Sequence, residues 1–389
     1  MRKVRVLQIV KGLDIGGLNG GAERFSIDLS EQLMELGFEV DLCAFYKMNT
    51  SAEKDWLEKI QSKGLEVFFV TSWSGPNNFL SYAKGVKALQ RFVKSKGYII
   101  LHSHFQQGTY AALLLKKKFN IPVVLRTAHN VCEWEAGFRG KFKEAISNLI
   151  YPKRLDAEVG VSQAIVKELS RRYPYYSDKL RPILIHNGIQ LPSIDEGCFP
   201  KATEKGNFII GSVGRLAEQK GYTYLIAALP KVLRIHPEAT MVLLGDGELR
   251  SQLEAQVMQL DLQNQVEVTG QVNNVLERLE GFDLFVSSSL WEGLPTVIME
   301  AMAIGVPVIA TDIPGSREMI SHKINGWLVA PADASSLANA ICELIENPLL
   351  RQEIGKAGKQ LVRQYSIQEI AKSYKQLYET LLTGSGKNG

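Results

Sequence analysis

Residues 284–311 read LFVSSSLWEGLPTVIMEAMAIGVPVIAT. Residues 284–286 are a short apolar run of the kind a strand buried on both faces requires. The three serines, Leu290, Trp291, Glu292 and Gly293 that follow show no apolar period and read as a loop. Pro295 suits a first helical turn, where its missing N–H costs nothing, and the helix it opens runs through Glu300. Residues 308–310 return to an apolar strand. Strand, loop, helix and strand in so short a stretch form a βαβ unit, and repeated βαβ units build a parallel sheet covered on both faces.

The same rhythm extends outward in both directions. Residues 208–213, 241–244, 266–268 and 327–329 read as strands, with helices at 223–235, from 249 onward, at 335–346 and at 366–382. Towards the N-terminus, strands are expected at 4–10, 40–45, 65–70, 98–101, 123–126, 159–161 and 183–185. A helix over 22–36 is closed by Gly37 as its C′ residue. Residues 189–207 break the rhythm with Pro192, Gly197, Pro200 and Gly206 and read as a linker. The fold class expected is therefore α/β. A Rossmann-like domain spans 1–190, a linker 191–206 and a second Rossmann-like domain 207–365. A closing helix covers 366–382, and the polar tail 383–389 is expected to be disordered or an expression remnant. In doubly wound sheets ligands sit outside the carboxyl ends of the strands, so the loops at those ends decide function.

Composition narrows the class. The 389 residues are 45% hydrophobic and 22% charged, which excludes a disordered chain, a collagen-like chain and a small disulfide scaffold. The early apolar run 6–10 is broken by Gln8 and is too short for a signal peptide or a membrane span, so a cytoplasmic location is expected. Cys43, Cys132, Cys198 and Cys342 are too scattered for a zinc site or a redox pair and read as core or loop residues. The net charge of +4 divides unevenly: residues 1–195 hold 28 Lys and Arg against 19 Asp and Glu, and residues 196–389 hold 17 against 22. A basic half attracts phosphorylated substrates, anionic lipid or nucleic acid. No nucleic-acid-binding module is present, so nucleic acid is not expected as a partner; an ordinary solvated face is the alternative.

Four loops carry the chemistry. In the quoted stretch, the N–H groups of residues 294–297 point out of a helix N-terminus with the positive end of its dipole, a ready site for a diphosphate. Glu292 and Glu300 flank that end and accept hydrogen bonds from hydroxyls; the alternative makes Glu292 a cap and Glu300 a solvated helix residue. After strand 208–213, Arg215 and Lys220 bracket a turn into a helix, where the dipole disfavours cations unless an anion joins them. A glycine-rich loop, Gly16 to Gly21, precedes Glu23 and Arg24 but lacks the G-x-G-x-x-G dinucleotide fingerprint. His129 and Asn130 follow strand 123–126, and His102 and His104 follow strand 98–101. A histidine there bonds sugar hydroxyls or shuttles protons. The spacing does not suit a metal site, and no metal is expected.

These segments resemble the retaining glycosyltransferases of the large family 4 group, which adopt the GT-B fold of two Rossmann-like domains facing a central cleft. The resemblance covers nearly the whole chain. It is carried by Gly16-Gly17 with Gly21-Ala22-Glu23, by Thr127-Ala128-His129-Asn130 and by Ile185-His186-Asn187-Gly188. In the second half it is carried by Val213-Gly214-Arg215-Leu216 with Lys220-Gly221, Leu244-Gly245-Asp246-Gly247, the Glu292 and Glu300 pair, Thr311-Asp312 and Asn325-Gly326. The resemblance implies that Arg215 and Lys220 hold a donor diphosphate, Glu300 the ribose and Glu292 a hydroxyl of the donor sugar. It places Gly293, Leu294, Pro295, Thr296 and Val297 against phosphate or sugar, Gln271 and Val272 beside the base, and Gly16 and Gly17 under the diphosphate. His129 is implied to face the sugar, His104, Asn130 and Asn187 to serve the acceptor, and the last helix to cross back to the first domain. Pro314-Gly315 departs from a more usual glycine pair, and the loop from Gly16 to Gly21 is longer than usual.

The expected activity is transfer of a sugar, with retention, from a nucleotide sugar to a hydroxyl of a glycan, lipid-linked or small-molecule acceptor, with no cofactor. UDP is the expected base on family frequency. The catalytic set is His129, Glu292, Arg215 and Lys220. The basic segment 138–154, with Ile146, Leu149 and Ile150 behind it, suits peripheral contact with an anionic membrane at its inner face; a core-packed helix with a solvated basic face is the alternative. A nucleotide-sugar epimerase of the same fold and a catalytically silent nucleotide-sugar-binding protein are the competing functions.

Overall fold

The computed structural model describes residues 3–15, 20–74, 79–130, 138–171, 181–192, 207–270 and 275–385. It divides into two compact units, one of Met1–Gly188 with Ile367–Gly389 and the other of Ile189–Ser366. The strands of the first unit are β1 (Arg5–Val10), β2 (Glu39–Lys47), β3 (Glu66–Ser72), β4 (Ile100–Ser103), β5 (Val123–Ala128), β6 (Ala157–Gly160) and β7 (Ile183–Leu184). They form one parallel sheet in the order β3-β2-β1-β4-β5-β6-β7.

Period-two alternation sorts side chains to the two faces of this sheet. Leu7, Ile9, Cys43 and Phe45 join a core with Val86, Leu89, Ala111, Leu115 and Tyr151, from the helices Phe79–Lys96, Gln106–Phe119 and Phe138–Arg154. Val6, Val10, Leu42 and Ala44 join the opposite core with Phe25, Leu29 and Leu33 of helix Gly21–Glu35. That second core also takes Ile370, Ala371, Tyr374, Leu377 and Tyr378 from the final helix, Ile367–Ser385. The last helix is thus part of the first unit's hydrophobic core.

The second unit holds β8 (Phe208–Val213), β9 (Ala239–Leu244), β10 (Val266–Gly270), β11 (Leu284–Ser287), β12 (Val308–Thr311) and β13 (Trp327–Val329). All pair in parallel, in the order β10-β9-β8-β11-β12-β13. One side of the sheet is sealed by Leu225, Ile226, Leu229, Leu253, Leu337 and Ile341 from the helices Tyr222–Leu233, Arg250–Gln259 and Ala334–Glu346.

The structure departs from the sequence reading in two elements of the chain's C-terminal part. A helix not anticipated, Pro348–Leu361, follows Ala334–Glu346 after a single residue. Gly355 and Gly358 weaken its helical signal, and packing explains the first: a Cβ on Gly355 would lie 2.3 Å from the Gly305 carbonyl oxygen. The final helix extends to Ser385, so Thr383, Gly384 and Ser385 are helical rather than tail, and 386–389 lie outside the described residues. Most of the expected linker, 193–206, also lies outside them. Cys43 and Cys342 are buried free thiols; Cys132 and Cys198 lie outside the described residues. Among the described residues no helix is long and apolar enough to cross a membrane.

Tyr374 is fully buried, and its hydroxyl meets Thr127 Oγ1 at 2.9 Å. Truncation to alanine leaves a cavity against β5 and removes one of the two side-chain partners of Thr127 Oγ1. Urea unfolding of Tyr374→Ala is expected to show a loss of about 3–5 kcal/mol; a loss below about 1 kcal/mol would deny the last helix its part in the core.

Candidate functional site

β8 and β11 are parallel neighbours, with Leu284 opposite Ile210 and Phe285 opposite Gly211. Strand order reverses between them, because β9 lies on the far side of β8. The loops leaving their carboxyl ends start at the same sheet edge, at the switch point where doubly wound folds hold ligands. Three backbone-level contacts join the loops. The Leu290 N–H donates to the Gln219 carbonyl at 2.7 Å, and Ser288 Oγ donates to the Lys220 carbonyl at 2.8 Å. Gly221 sits at φ +61° with space for a Cβ only 2.2 Å from the Ser288 carbonyl oxygen, so both the left-handed turn and the close approach require glycine.

The side chains follow. Lys220 Nζ meets Glu292 Oε1 at 2.6 Å, the two side chains being 20% and 11% exposed. Ser289 Oγ donates to the same oxygen at 3.1 Å. Gln219 Nε2 donates to Glu292 Oε2 at 3.2 Å and to the Trp291 carbonyl at 2.9 Å. Glu292 is therefore gripped from both loops. The buried Tyr222 hydroxyl is pushed up in pKa by burial, and the charge of Glu292 adds to the shift. Arg215 is exposed, and its guanidinium has no ion-pair or hydrogen-bond partner among the described residues.

The loop after β9 braces this arrangement. The Leu216 N–H donates to the Asp246 carbonyl at 2.9 Å, and the Leu249 N–H donates to the Leu216 carbonyl at 2.9 Å. Thr311 after β12 donates its hydroxyl to the Ser289 carbonyl. Asn325 is a turn residue: its Oδ1 accepts from the Ser321 N–H at 2.7 Å and its Nδ2 donates to the Met319 carbonyl at 2.8 Å.

Helix Thr296–Ala303 begins one residue later than Pro295 suggested. Pro295 is its N-cap, at φ −75° and ψ 99°, and lies outside the first turn. The Ile298 N–H bonds back to the Pro295 carbonyl at 3.1 Å, and the half-buried Thr296 and Val297 N–H groups lie at the positive end of the helix. Gly293, Leu294 and Pro295 are buried behind them. Glu300 is 5% exposed, one turn inside the helix, which removes the solvated-face alternative. Gly315, after the departing Pro314, packs under this loop: a Cβ there would meet the Glu292 carbonyl oxygen at 2.9 Å. Gly16, Gly17, Gln271 and Val272 lie outside the described residues.

In the first unit, the carboxyl ends of β4 and β5 present His104 and His129. His104 Nδ1 meets His129 Nε2 at 3.0 Å and His104 Nε2 meets Gln8 Oε1 at 2.8 Å. His104 is buried with both ring nitrogens engaged inside the protein, so the acceptor contact expected of it is corrected: no ring nitrogen is left for an external hydroxyl. His129 is half-buried and Asn130 exposed. Asn187 is buried, and its Oδ1 has no hydrogen-bond partner among the described residues. Glu23 is used structurally, its Oε2 accepting from the Gly20 N–H at 2.9 Å to cap helix Gly21–Glu35.

Sequence reasoning missed Gln219, which lies inside the segment from Arg215 to Lys220, and Ser289. It also missed Tyr374 and Tyr378, whose i,i+4 spacing on one helix face was the available signal.

Known proteins share this organisation. Residues 19–191 match the Glycosyltransferase Family 4 profile and residues 195–361 match the Glycosyl transferases group 1 profile. A UDP-Gal:alpha-D-GlcNAc-diphosphoundecaprenol alpha-1,3-galactosyltransferase of Escherichia coli is 24% identical over 384 residues, covering 93% of this chain and 94% of the relative. The crystal structure of Anabaena HepE in complex with UDP and glucose superposes with a TM-score of 0.80 at 20% identity, over 97% of this chain and 100% of that one. Sucrose-phosphate synthase from Thermosynechococcus elongatus superposes with a TM-score of 0.82 at 22% identity, over 98% of this chain and 100% of that one. With two parallel-sheet Rossmann-like units and both halves of the sequence matched, the chain is a GT-B glycosyltransferase and belongs to family 4.

Proposed function

We propose that this glycosyltransferase moves a sugar from a UDP-sugar to a hydroxyl of a glycan or lipid-linked acceptor, retaining the anomeric configuration and using side-chain cations in place of a metal ion. The observation that carries the reading is the meeting of the β8 and β11 loops, with Lys220, Glu292, the Thr296 and Val297 N–H groups and Arg215, which is unpartnered among the described residues, at the carboxyl edge of one sheet. The family 4 relative from Escherichia coli is named for a UDP-galactose donor and a diphosphoundecaprenol acceptor, and Anabaena HepE was crystallised with UDP-glucose. Both support uridine as the base, and the first supports a lipid-linked acceptor.

In this reading the bond between the anomeric carbon and the β-phosphate oxygen breaks, and a bond from that carbon to the acceptor oxygen forms on the same face. The acceptor proton passes to the departing phosphate oxygen. Negative charge grows on the diphosphate, where Arg215, Lys220 and the helix end stabilise it. Arriving diphosphate exchanges with Glu292 as the partner of Lys220, and Glu292, still held by Gln219 and Ser289, turns its free capacity to a sugar hydroxyl. Glu300 takes the ribose. The first unit supplies acceptor binding, with His129 serving the transferred sugar.

The same reading gives the membrane a surface. Helix Phe138–Arg154 exposes Phe142 at 60% and Leu149 at 56%, seven positions apart and so on one face, among exposed Lys141, Lys143, Lys153 and Arg154. The adjoining helix Gln106–Phe119, joined to it by Tyr110 and Ser147 at 2.9 Å, exposes Leu114 beside Lys117 and Lys118. Ile146 and Ile150 are half-buried, but Leu149 points out. Exposed apolar groups within a ring of cations suit an anionic bilayer, each cation near the surface contributing about 1 kcal/mol.

Two experiments test this function. Arg215→Ala and Lys220→Ala are each expected to lower transfer from UDP-sugar by about 10²-fold or more and to reduce the thermal shift caused by UDP. Without ligand, Arg215→Ala should unfold near the temperature of the parent protein and Lys220→Ala somewhat below it, because Glu292 loses its partner; full activity in both variants would contradict the assignment. In co-sedimentation, the protein should pellet with phosphatidylglycerol vesicles and not with phosphatidylcholine vesicles. Phe142→Ser with Leu149→Ser, or high salt, should release it; equal pelleting in all cases would refute the membrane surface.

A further inference from the structure

Gln219 clasps three consecutive residues of the β11 loop. Its carbonyl accepts from the Leu290 N–H at 2.7 Å, and its side-chain Nε2 donates to the Trp291 carbonyl at 2.9 Å and to Glu292 Oε2 at 3.2 Å. The partners settle the orientation of the amide. A carbonyl oxygen only accepts, and so does a carboxylate paired with an ammonium group, so the NH2 end faces both and each of its hydrogens has one acceptor. Glu218, Gln219 and Lys220 form a single 3-10 turn closed by Gly221 at φ +61°. The Gln219 and Lys220 side chains therefore reach Glu292 from one short, fixed segment.

This arrangement makes the two oxygens of Glu292 unlike. Oε1 takes Lys220 Nζ at 2.6 Å and Ser289 Oγ at 3.1 Å, whereas Oε2 takes the Gln219 amide. The Lys220 contact is ionic, and a diphosphate competes for the ammonium group directly. The Gln219 contact is neutral, and both hydrogens of its amide are already engaged by the other loop. When Lys220 turns to a diphosphate, the ion pair between the loops opens, and Oε1 keeps Ser289 with acceptor capacity to spare. The Gln219 bonds to Leu290, Trp291 and Oε2 need not open. A neutral clasp thus holds the β11 loop against the β8 loop once the charged one has been given up.

We infer that Gln219 is a positioning residue for the donor sugar: by holding Oε2 and the Trp291 carbonyl while Lys220 exchanges to the diphosphate, it aims Glu292 Oε1 at a sugar hydroxyl. The inference rests on the reading that a UDP-sugar is the donor and that Glu292 takes its sugar. It adds a division of roles within one turn: Lys220 serves the diphosphate that UDP and UDP-sugar share, and Gln219 serves the sugar alone.

Calorimetric titration of the full chain with UDP, and with UDP-glucose or UDP-galactose, whichever the parent protein binds more tightly, separates the two roles. Gln219→Met keeps the length of the side chain and removes the donor. It should bind UDP as the parent does and lose about tenfold in affinity for the UDP-sugar and in kcat/KM, the effect of one hydrogen bond to a charged group. Gln219→Glu reads the same contact through pH and serves where Gln219→Met fails to fold. The introduced carboxyl group faces a carboxylate and keeps its proton to higher pH than usual, and while protonated its O–H donates in place of the amide. Its kcat/KM relative to the parent should be highest at low pH and fall as pH rises and the group ionises. Lys220 and the buried Tyr222 hydroxyl also face Glu292; both are present in parent and variant, so the ratio isolates the substituted position. Equal losses for UDP and UDP-sugar in Gln219→Met overturn the inference, because they make Gln219 a general brace of the loop. Parent-like kcat/KM in Gln219→Met, or a Gln219→Glu profile parallel to that of the parent, overturns it too. A parent protein that binds neither UDP nor a UDP-sugar removes the donor reading and the inference with it, an outcome visible before any variant is compared.

Discussion

The Lys220–Glu292 pair is the interaction around which the second unit's site is organised. Two opposite charges drawn partly out of water each need the other, and removing one leaves its partner stranded. Three loops and a helix start are arranged to keep them together. The Gly221 turn lets the β8 loop touch the Ser288 carbonyl, Ser289 and Gln219 fix the two carboxylate oxygens, and the β9 loop braces Leu216. All of this depends on strand order: β8 and β11 are parallel neighbours at the point where the order reverses, so the loops leaving their carboxyl ends lie side by side.

The first unit uses the same kind of sheet for a different interior. Where the second unit gathers ions at its strand ends, the first gathers neutral imidazoles and phenols, oriented by hydrogen bonds and shielded from charging by burial. Such a network is worth its desolvation only when every member is satisfied. The last helix of the chain supplies two of those members, Tyr374 and Tyr378, together with apolar contacts to the core. One element thus serves stability and the alignment of polar groups at once.

Much of this was legible in the sequence, for physical reasons. Strands 208–213 and 327–329 match β8 and β13 residue for residue, because short, mainly apolar runs bounded by polar or turn-forming residues are what a parallel sheet covered by helices requires. Arg215, Lys220 and Glu292 stood out in the sequence as ionic groups in loops after apolar strands, and Glu300 as an ionic group in an otherwise apolar helix. Helix Pro348–Leu361 was hidden because Pro348, Gly355 and Gly358 read locally as breakers, while tertiary packing demanded the small residue at 355. The inward engagement of His104 was not legible, because its partner Gln8 is remote in sequence and adjacent only through β1–β4 pairing. Gln8 itself looked like an interruption of an apolar strand; its meaning lies in Tyr378, at the other end of the chain.

A crystal structure of the protein with UDP tests the central claim most directly. The account predicts the diphosphate within hydrogen-bonding distance of Lys220 Nζ, the Arg215 guanidinium and the Thr296 and Val297 N–H groups, with Lys220 drawn from Glu292 to phosphate. A diphosphate bound elsewhere, with Lys220 and Glu292 still paired at 2.6 Å, would contradict it.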